Sequence, residues 1–389
     1  MSDDVKSLTV GVPRETYPGE RRVALIPAAV AALKKAKLNV VIETDAGVEA
    51  GFADTDYAAA GAQAIVSRGE VFAKADVILQ VRAAGANRLA ARADLDLLRP
   101  GQSLIGLCDP FAEPALLSEL ASRSVSCFAL ELLPRITRAQ SMDVLSSQAS
   151  LAGYKAVLLA ASELPRMFPM MMTAAGTIAA AKVFVIGAGV AGLQAIATAR
   201  RMGAVVRATD VRSAAKENVL SLGARFIDMG VEDAPGVGGY AKGMDAGFYQ
   251  RQQAALAPTI AESDVIITTA AVPGKKAPIL ISADAVRSMS RGSLVVDLAA
   301  EQGGNCELTK PGETVVENGV SVIGCVNLPS SVPYHASQMF SRNVTSFLLL
   351  LVQDGRWAIN REDEIVLGTL VTADGQVVHP KVRELLTTV

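Results

Sequence analysis

Residues 183–192 read Val-Phe-Val-Ile-Gly-Ala-Gly-Val-Ala-Gly and continue into Leu193-Gln194-Ala195-Ile196-Ala197. A β-rich run gives way at once to glycines and then to helix formers, so G-x-G-x-x-G falls where a strand becomes a helix. In that setting Gly187 makes the tight turn, Gly189 lets the backbone approach a pyrophosphate, and Gly192 lets helix and strand pack closely. The helix that begins at Val190 would offer unpaired N–H groups and its positive dipole end to the phosphates. The next strand, 205–209, ends in Asp210, about twenty residues on, where a ribose-binding acid is expected. A carboxylate there accepts from ribose hydroxyls and repels a 2′-phosphate, which favours NAD(H) over NADP(H). Arg212 lies close enough to receive such a phosphate, but Asp210 holds the strand end, and Arg212 reads as a solvated charge.

Working outward, strand-like runs at 183–186, 205–209, 225–227, 265–269, 294–298 and 320–324 alternate mostly with helical stretches, which implies a six-strand doubly wound sheet. A second series occupies the first third of the chain, at 8–12, 39–43, 77–81, 103–107 and 125–130, with a helix opened by Pro27 between the first two strands. A helix over about 141–163, closed by Pro165 and Pro169, connects the two. The expected fold is therefore α/β, with two Rossmann-like domains of mostly parallel sheet joined by long helices. Residues 1–148 with 334–389 form one domain and 149–333 the other. From Pro333 a helical run crosses back to the first domain, and 354–389 reads as a polar, irregular tail.

Half of the 389 residues are hydrophobic and only 4% aromatic, so the core is aliphatic. The 37 Lys and Arg nearly balance the 39 Asp and Glu without any block of like charge, which argues against nucleic acid or a polybasic membrane patch. Cys108, Cys127, Cys306 and Cys325 lack metal or redox spacing and read as buried thiols in a reducing compartment. No metal site is expected. The N-terminus carries Asp3 and Asp4 and does not read as a secretory signal. The apolar tract 170–197 is divided by Lys182 and four glycines, so it reads as a strand followed by a helix and the chain is not expected to span a membrane.

Two further features stand out. Gly236-Val237-Gly238-Gly239-Tyr240 falls on the carboxyl side of the second sheet and reads either as a lid or as a plain surface loop, which composition alone does not separate. The run 134–147, PRITRAQSMDVLSS, gathers Arg135, Arg138, Gln140, Ser141, Asp143 and Ser146, which could bind a carboxamide and a ribose but include no group that titrates near neutrality. Capping of the following helix by Ser141 or Asp143 is the alternative reading. The two histidines, His335 and His379, lie near the returning helix and in the tail, and neither reads as a catalytic base.

The stretches PRITRAQSMDVLSSQASLAGYKAV, FPMMMTAAGT, GAGVAGLQAIATARRMGAVVRATDVR, GGYAKGM and VVDLAAEQGGNCE resemble the NAD(H)-binding component, domain I, of proton-translocating nicotinamide nucleotide transhydrogenase, with similarity over about residues 8–350. The resemblance implies that Arg135, Ile136, Thr137, Gln140, Asp143 and Ser146 orient the dihydronicotinamide and its ribose, with Arg135, Gln140, Asp143 and Ser146 closest to the chemistry. It implies that Tyr240 closes over NAD(H), and that Gly187, Gly189, Val190, Gly192, Asp210, Val211, Arg212, Gly239, Gln252 and Ala271 hold it. Ser150 stands where relatives often carry Asn. The resemblance also implies a homodimer, and an NADP(H) site on a membrane partner subunit that translocates protons. The chain is then a separate α subunit or a truncated one, cytoplasmic and attached to the inner membrane through its partners.

Alanine dehydrogenase, in the same superfamily, is the rival. It shares the pattern at Pro13-Arg14-Glu15 and Arg21-Arg22-Val23-Ala24-Leu25, so Arg22 does not discriminate. That enzyme pairs the Arg with a Lys after one strand and a His after the next, where this chain has Gln80-Val81-Arg82 and Leu107-Cys108-Asp109. Hydride exchange between two nicotinamides needs no proton transfer at the reacting carbons, which suits the absence.

Overall fold

The structure, a computed structural model, describes residues 7–230, 245–271 and 276–387. The chain divides into two compact units, Met1–Gln148 together with Ser330–Val389, and Ala149–Pro329.

The first unit is built on an eight-stranded sheet. Starting from the first strand, Thr9–Val12, the neighbours on one side are Asn39–Glu43 and then Gln63–Ile65; on the other side lie Val77–Arg82, Ser103–Leu107 and Ser126–Ala129, all parallel. This is the 3-2-1-4-5-6 order of a doubly wound sheet, with its switch point between Thr9–Val12 and Val77–Arg82. The short Gln63–Ile65 strand is an addition to the sequence expectations. The central strands are buried on both faces, which is why they read as unbroken runs such as Val77-Ile78-Leu79.

The tail expectation fails. Residues 354–387 contain a helix, Glu364–Thr369, and a strand, Leu370–Ala373, that pairs antiparallel with Ser126–Ala129 and carries Gln376–Val377 on its outer edge. Ile365, Val366, Val371 and Val382 of this segment are all buried. Each gains about 1.5–3 kcal/mol from burial, so the segment is an integral part of the first core. The helix Pro333–Leu350 packs beside it with a polar seam. Ser337 and Ser341, one turn apart and fully buried, accept the N–H groups of Val23 (3.0 Å) and Ile26 (3.1 Å) and so fix the Arg22–Ile26 segment.

The second unit repeats the order. Lys182–Ile186 is flanked by Val205–Thr209 and Arg225–Phe226 on one side, and by Val265–Thr268, Leu294–Asp297 and Val320–Gly324 on the other, all parallel. A seventh strand, Thr314–Glu317, lies antiparallel on the edge, so the expected six strands become seven. The tract 170–197 is also more divided than expected: a two-stranded hairpin, Met171–Thr173 with Gly176–Ile178, precedes the strand and the helix Val190–Arg201. The connector helix runs Val144–Glu163, and Gly153 lets it lie against the start of Val190–Arg201, because a Cβ there would sit 2.1 Å from the Ala191 carbonyl oxygen.

Candidate functional site

The glycine turn has the geometry its sequence implies. Gly187 has φ +98°, open to glycine at little cost, and its carbonyl accepts the Thr269 hydroxyl at 3.0 Å, which ties the turn to the neighbouring strand end. At Gly192 a Cβ would stand 1.8 Å from the Gly187 carbonyl oxygen, so only glycine permits this approach of helix to turn. Gly189 differs: its φ is −77°, and a Cβ would meet only the Arg212 guanidinium, 3.9 Å away among the described residues. The helix that follows has no side-chain cap among the described residues, so the N–H groups of its first turn remain available to an anion. Room over Gly189, an uncapped helix and a nearby carboxylate together fit a dinucleotide pyrophosphate and ribose.

Asp210 terminates its strand with a side chain that is 5% exposed. One oxygen accepts the Ala188 N–H (2.7 Å) and Arg212 Nη2 (2.7 Å); the other accepts the Arg212 N–H (2.9 Å) and Nε (2.8 Å). Arg212 is therefore not a solvated charge but the fork-like partner of Asp210. A ribose hydroxyl donating to this carboxylate must displace part of that fork. Val211 is half-buried between them in sequence and Val190 is exposed at the helix start.

Gln252, on the helix Ala246–Ala261, is 3% exposed, and its Oε1 has no hydrogen-bond partner among the described residues. A buried acceptor of this kind calls for a donor beyond those residues. Ala271 is half-buried beyond the Val265–Thr268 strand. Gly239 and Tyr240, with the glycine loop read as a lid, lie outside the described residues.

The 134–147 run belongs to the first unit and separates into two groups. Arg135, Thr137 and Gln140 are exposed on or beside the Thr137–Met142 turn, with Ile136 half-buried. Asp143 instead accepts both the Ser146 N–H (2.9 Å) and the Ser146 hydroxyl (2.6 Å), so it caps the connector helix and fixes Ser146 as it does so. Arg138 forms a two-point ion pair with Asp363 of the C-terminal segment, at 2.6 and 2.7 Å, and its role is structural. Sequence reasoning missed Asn343, whose amide accepts the Ser147 hydroxyl (2.7 Å) and donates to the Ser141 carbonyl (2.8 Å), clamping the run from the returning helix. A single Asn in a helix that carries several other polar residues gives no signal of such a remote partner.

At the positions that distinguish the rival, Arg82 stacks over the Tyr17 ring at 4.2 Å, and Asp109, at φ +45°, donates its N–H to Glu131. Burial pushes Glu131 up to about 7, with Asp109 adding a smaller repulsion. Arg22 is committed to the buried Glu20, at 2.7 and 2.6 Å, and to Gln148 at 3.0 Å. His379 is half-buried against Phe111, and desolvation lowers its pKa. Among the described residues no group of three or more His, Cys, Asp and Glu is placed to hold a metal ion, and no helix is long and apolar enough to cross a membrane.

Two nucleotide-type sheets, one with an open glycine turn, define a class, and comparison with known proteins agrees with it. Residues 11–152 match the family model described as alanine dehydrogenase/PNT, N-terminal domain, and 156–380 match that for the C-terminal domain; the chain belongs to the alanine dehydrogenase/PNT family. Within it, the chain is 45% identical over 381 residues to the first part of the NAD(P) transhydrogenase subunit alpha of Rhodospirillum rubrum, covering 96% of this chain and 98% of that protein. The crystal structure of transhydrogenase from Sinorhizobium meliloti superposes with a TM-score of 0.84 at 45% identity, covering 95% of this chain and all of that one. An L-alanine dehydrogenase structure gives a TM-score of 0.82 at 26% identity over 98% of this chain and 99% of that one.

Proposed function

We propose that this chain is the NAD(H)-binding α subunit of a proton-translocating NAD(P) transhydrogenase. In that role it presents NADH for direct transfer of a hydride, a proton with its electron pair, from C4 of its ring to C4 of NADP+ held by a partner subunit. The observation that carries the reading is the uncapped helix after Gly189 with Asp210 beside it. The first-turn N–H groups bind the pyrophosphate; Gly187 and Gly192 hold the turn closed; Asp210, with Val211 and Arg212 following it, receives the adenine ribose. Gln252 supplies its buried acceptor and Ala271 its backbone to the other half of the nucleotide. Arg135, Ile136, Thr137, Gln140 and Ser146 orient the nicotinamide and its ribose. Asp143 acts through Ser146, whose hydroxyl it accepts.

None of these residues needs to move a proton at the reacting carbons, and the rate then depends on placing two rings about 3–3.5 Å apart. The chain would pair with a second copy of itself. It would lie at the cytoplasmic face of the inner membrane through partner subunits that bind NADP(H) and move the proton.

The test is NADH oxidation by the full chain under three conditions: alone, with pyruvate and ammonia, and with NADP+ plus the NADP(H)-binding domain of a related transhydrogenase. Appreciable turnover is expected only in the third. Comparable turnover with pyruvate and ammonia would instead make the chain an amino-acid dehydrogenase, the reading that Arg82 and Asp109 disfavour.

A further inference from the structure

The strand Val265–Thr268 is the fourth in the winding order of the second unit, and its carboxyl end runs on through Thr269 and Ala270 to Ala271. One side chain holds Ala270 from both sides. Asn305 accepts the Ala270 N–H on Oδ1 (3.0 Å) and donates from Nδ2 to the Ala270 carbonyl (2.8 Å) and to the Pro278 carbonyl (2.9 Å). Asn305 is fully buried, and its own backbone is equally committed. Its carbonyl accepts the N–H groups of Leu280 (2.7 Å) and Ile281 (3.0 Å), and its N–H donates to Asp297 Oδ2 at 2.6 Å.

Asp297 ends the neighbouring strand, Leu294–Asp297, and is fully buried in turn. It also accepts the N–H groups of Cys306 (3.0 Å) and Ala299 (2.9 Å) and the Thr309 hydroxyl (2.6 Å). The chain reaches this position through Gly303 and Gly304, at φ +98° and +80°; a Cβ on Gly304 would crowd Thr309 Cβ at 2.7 Å and Asp297 Oδ2 at 2.9 Å.

The chemistry at this point is narrow. The site needs an acceptor for one N–H and two donors for two carbonyls, all from a short side chain, and among the standard residues of this length only the Asn carboxamide supplies them. Asp would bring an oxygen against two carbonyl oxygens, and Ala would remove the partner of three backbone groups, the Ala270 N–H and the Ala270 and Pro278 carbonyls.

In a doubly wound sheet the first three strands serve one mononucleotide half and the next three the other. Asp210 ends the second strand in the order, on the adenosine half; Ala270 and Ala271 follow the fourth, on the nicotinamide half. We infer that Asn305 is a positioning residue for the nicotinamide half of the bound nucleotide, acting through the backbone of Ala270 and Ala271. This inference rests on the NAD(H) reading given above.

The experiment compares dissociation constants for NADH and for 5′-AMP, which occupies the adenosine half alone, in the full chain at pH 8. Asn305→Asp is expected to weaken NADH about tenfold or more, while 5′-AMP binding stays within about twofold, because the lost bonds act on one half only. Thr309→Val removes one bond to Asp297 with little change in volume. It is expected to weaken NADH about two- to threefold with no change in 5′-AMP, and it decides the matter should Asn305→Asp fail to fold. Folded variants that bind both ligands as the wild type does would overturn the inference, and so would equal losses for both, which would mark Asn305 as general support for the unit. A wild-type chain that binds no NADH would refute the functional reading itself, and the inference with it.

Discussion

The two units wind their parallel strands in the same 3-2-1-4-5-6 order, and each adds antiparallel strand beyond the sixth, yet their switch points end in opposite chemistry. In the second unit the first strand runs into Gly187–Gly192, a turn whose sequence holds no charged side chain to enter the space beside the fourth strand. In the first unit the corresponding turn is Pro13-Arg14-Glu15, and the Glu15 carboxylate itself accepts the N–H groups of Val81 (2.6 Å) and Arg82 (3.2 Å) at the end of the fourth strand. Burial, reinforced by Glu20, raises this carboxyl to about 8. Topology therefore makes a crevice twice. In one copy a built-in acid occupies it; in the other, glycines leave backbone donors for an external anion.

The largest expected effect concerns the edge strands. A chain ending at Asp354 loses Ile365, Val366, Val371 and Val382, four buried aliphatics. At about 1.5–3 kcal/mol each this approaches the whole stability of a typical domain. The first unit is expected to lose its cooperative unfolding transition by circular dichroism, and a protease-resistant core retaining residues 7–353 would contradict the account.

Next come the glycines of the open turn, which should split by task. Gly192→Val places atoms on the Gly187 carbonyl and is expected to destabilise by about 3–5 kcal/mol. Gly189→Ala meets open space at a permitted φ, so it should melt within about 0.5 kcal/mol of the wild type yet bind NADH about 100-fold more weakly, nearly 3 kcal/mol. Loss of stability without loss of binding at Gly189 would reverse the assignment.

Asp210→Ala tests the ribose side of the same crevice. NADH is expected to weaken about tenfold or more, whereas NADPH, which cannot use the carboxylate and meets a released Arg212, stays within about twofold. Equal losses by titration calorimetry would argue against Asp210 as the ribose ligand.

The last test probes the closed crevice. Glu15 titrates near 4.5 when unfolded and near 8 when folded. Between those values the native state holds a proton that the unfolded chain releases, so stability falls as pH rises through the window and levels off above it. Glu15→Gln is expected to reduce the dependence of the urea midpoint between pH 5 and pH 8, with Glu131 still contributing below about pH 7; an unchanged slope would mean that Glu15 is already ionised in the fold.

Both parallel cores are legible in the sequence because strands buried on two faces must be unbroken runs of Val, Ile and Leu, and the open crevice because its glycines sit at fixed offsets from such a run. The edges are not. Thr314–Glu317 leaves Val316 64% exposed, so its pattern reads as a polar loop. Leu370–Ala373 is a four-residue run whose partner, Ser126–Ala129, lies more than 240 residues earlier, beyond any local periodicity. The hairpin at 171–178 carries Met172 at 75% exposure and shows no alternation that local sequence reasoning could use. At the site, the capping role of Asp143 is visible from its place just before a helix, a local relation. Arg212 lies two residues from Asp210, so its fork is local too, although Asp210 reads as reserved for a ribose; Arg138 is not legible in the same way, because Asp363, 225 residues on, becomes its partner only in three dimensions. Asn305 escapes sequence reasoning for the same reason.

Calorimetric titration of the full chain with NADH tests the central contrast most directly. One NADH per chain is expected, lost when Gly189 is replaced by Val and untouched by Glu15→Gln. Two equivalents per chain, or a single site that survives Gly189→Val, would mean that the nucleotide does not lie at the glycine turn of the second unit.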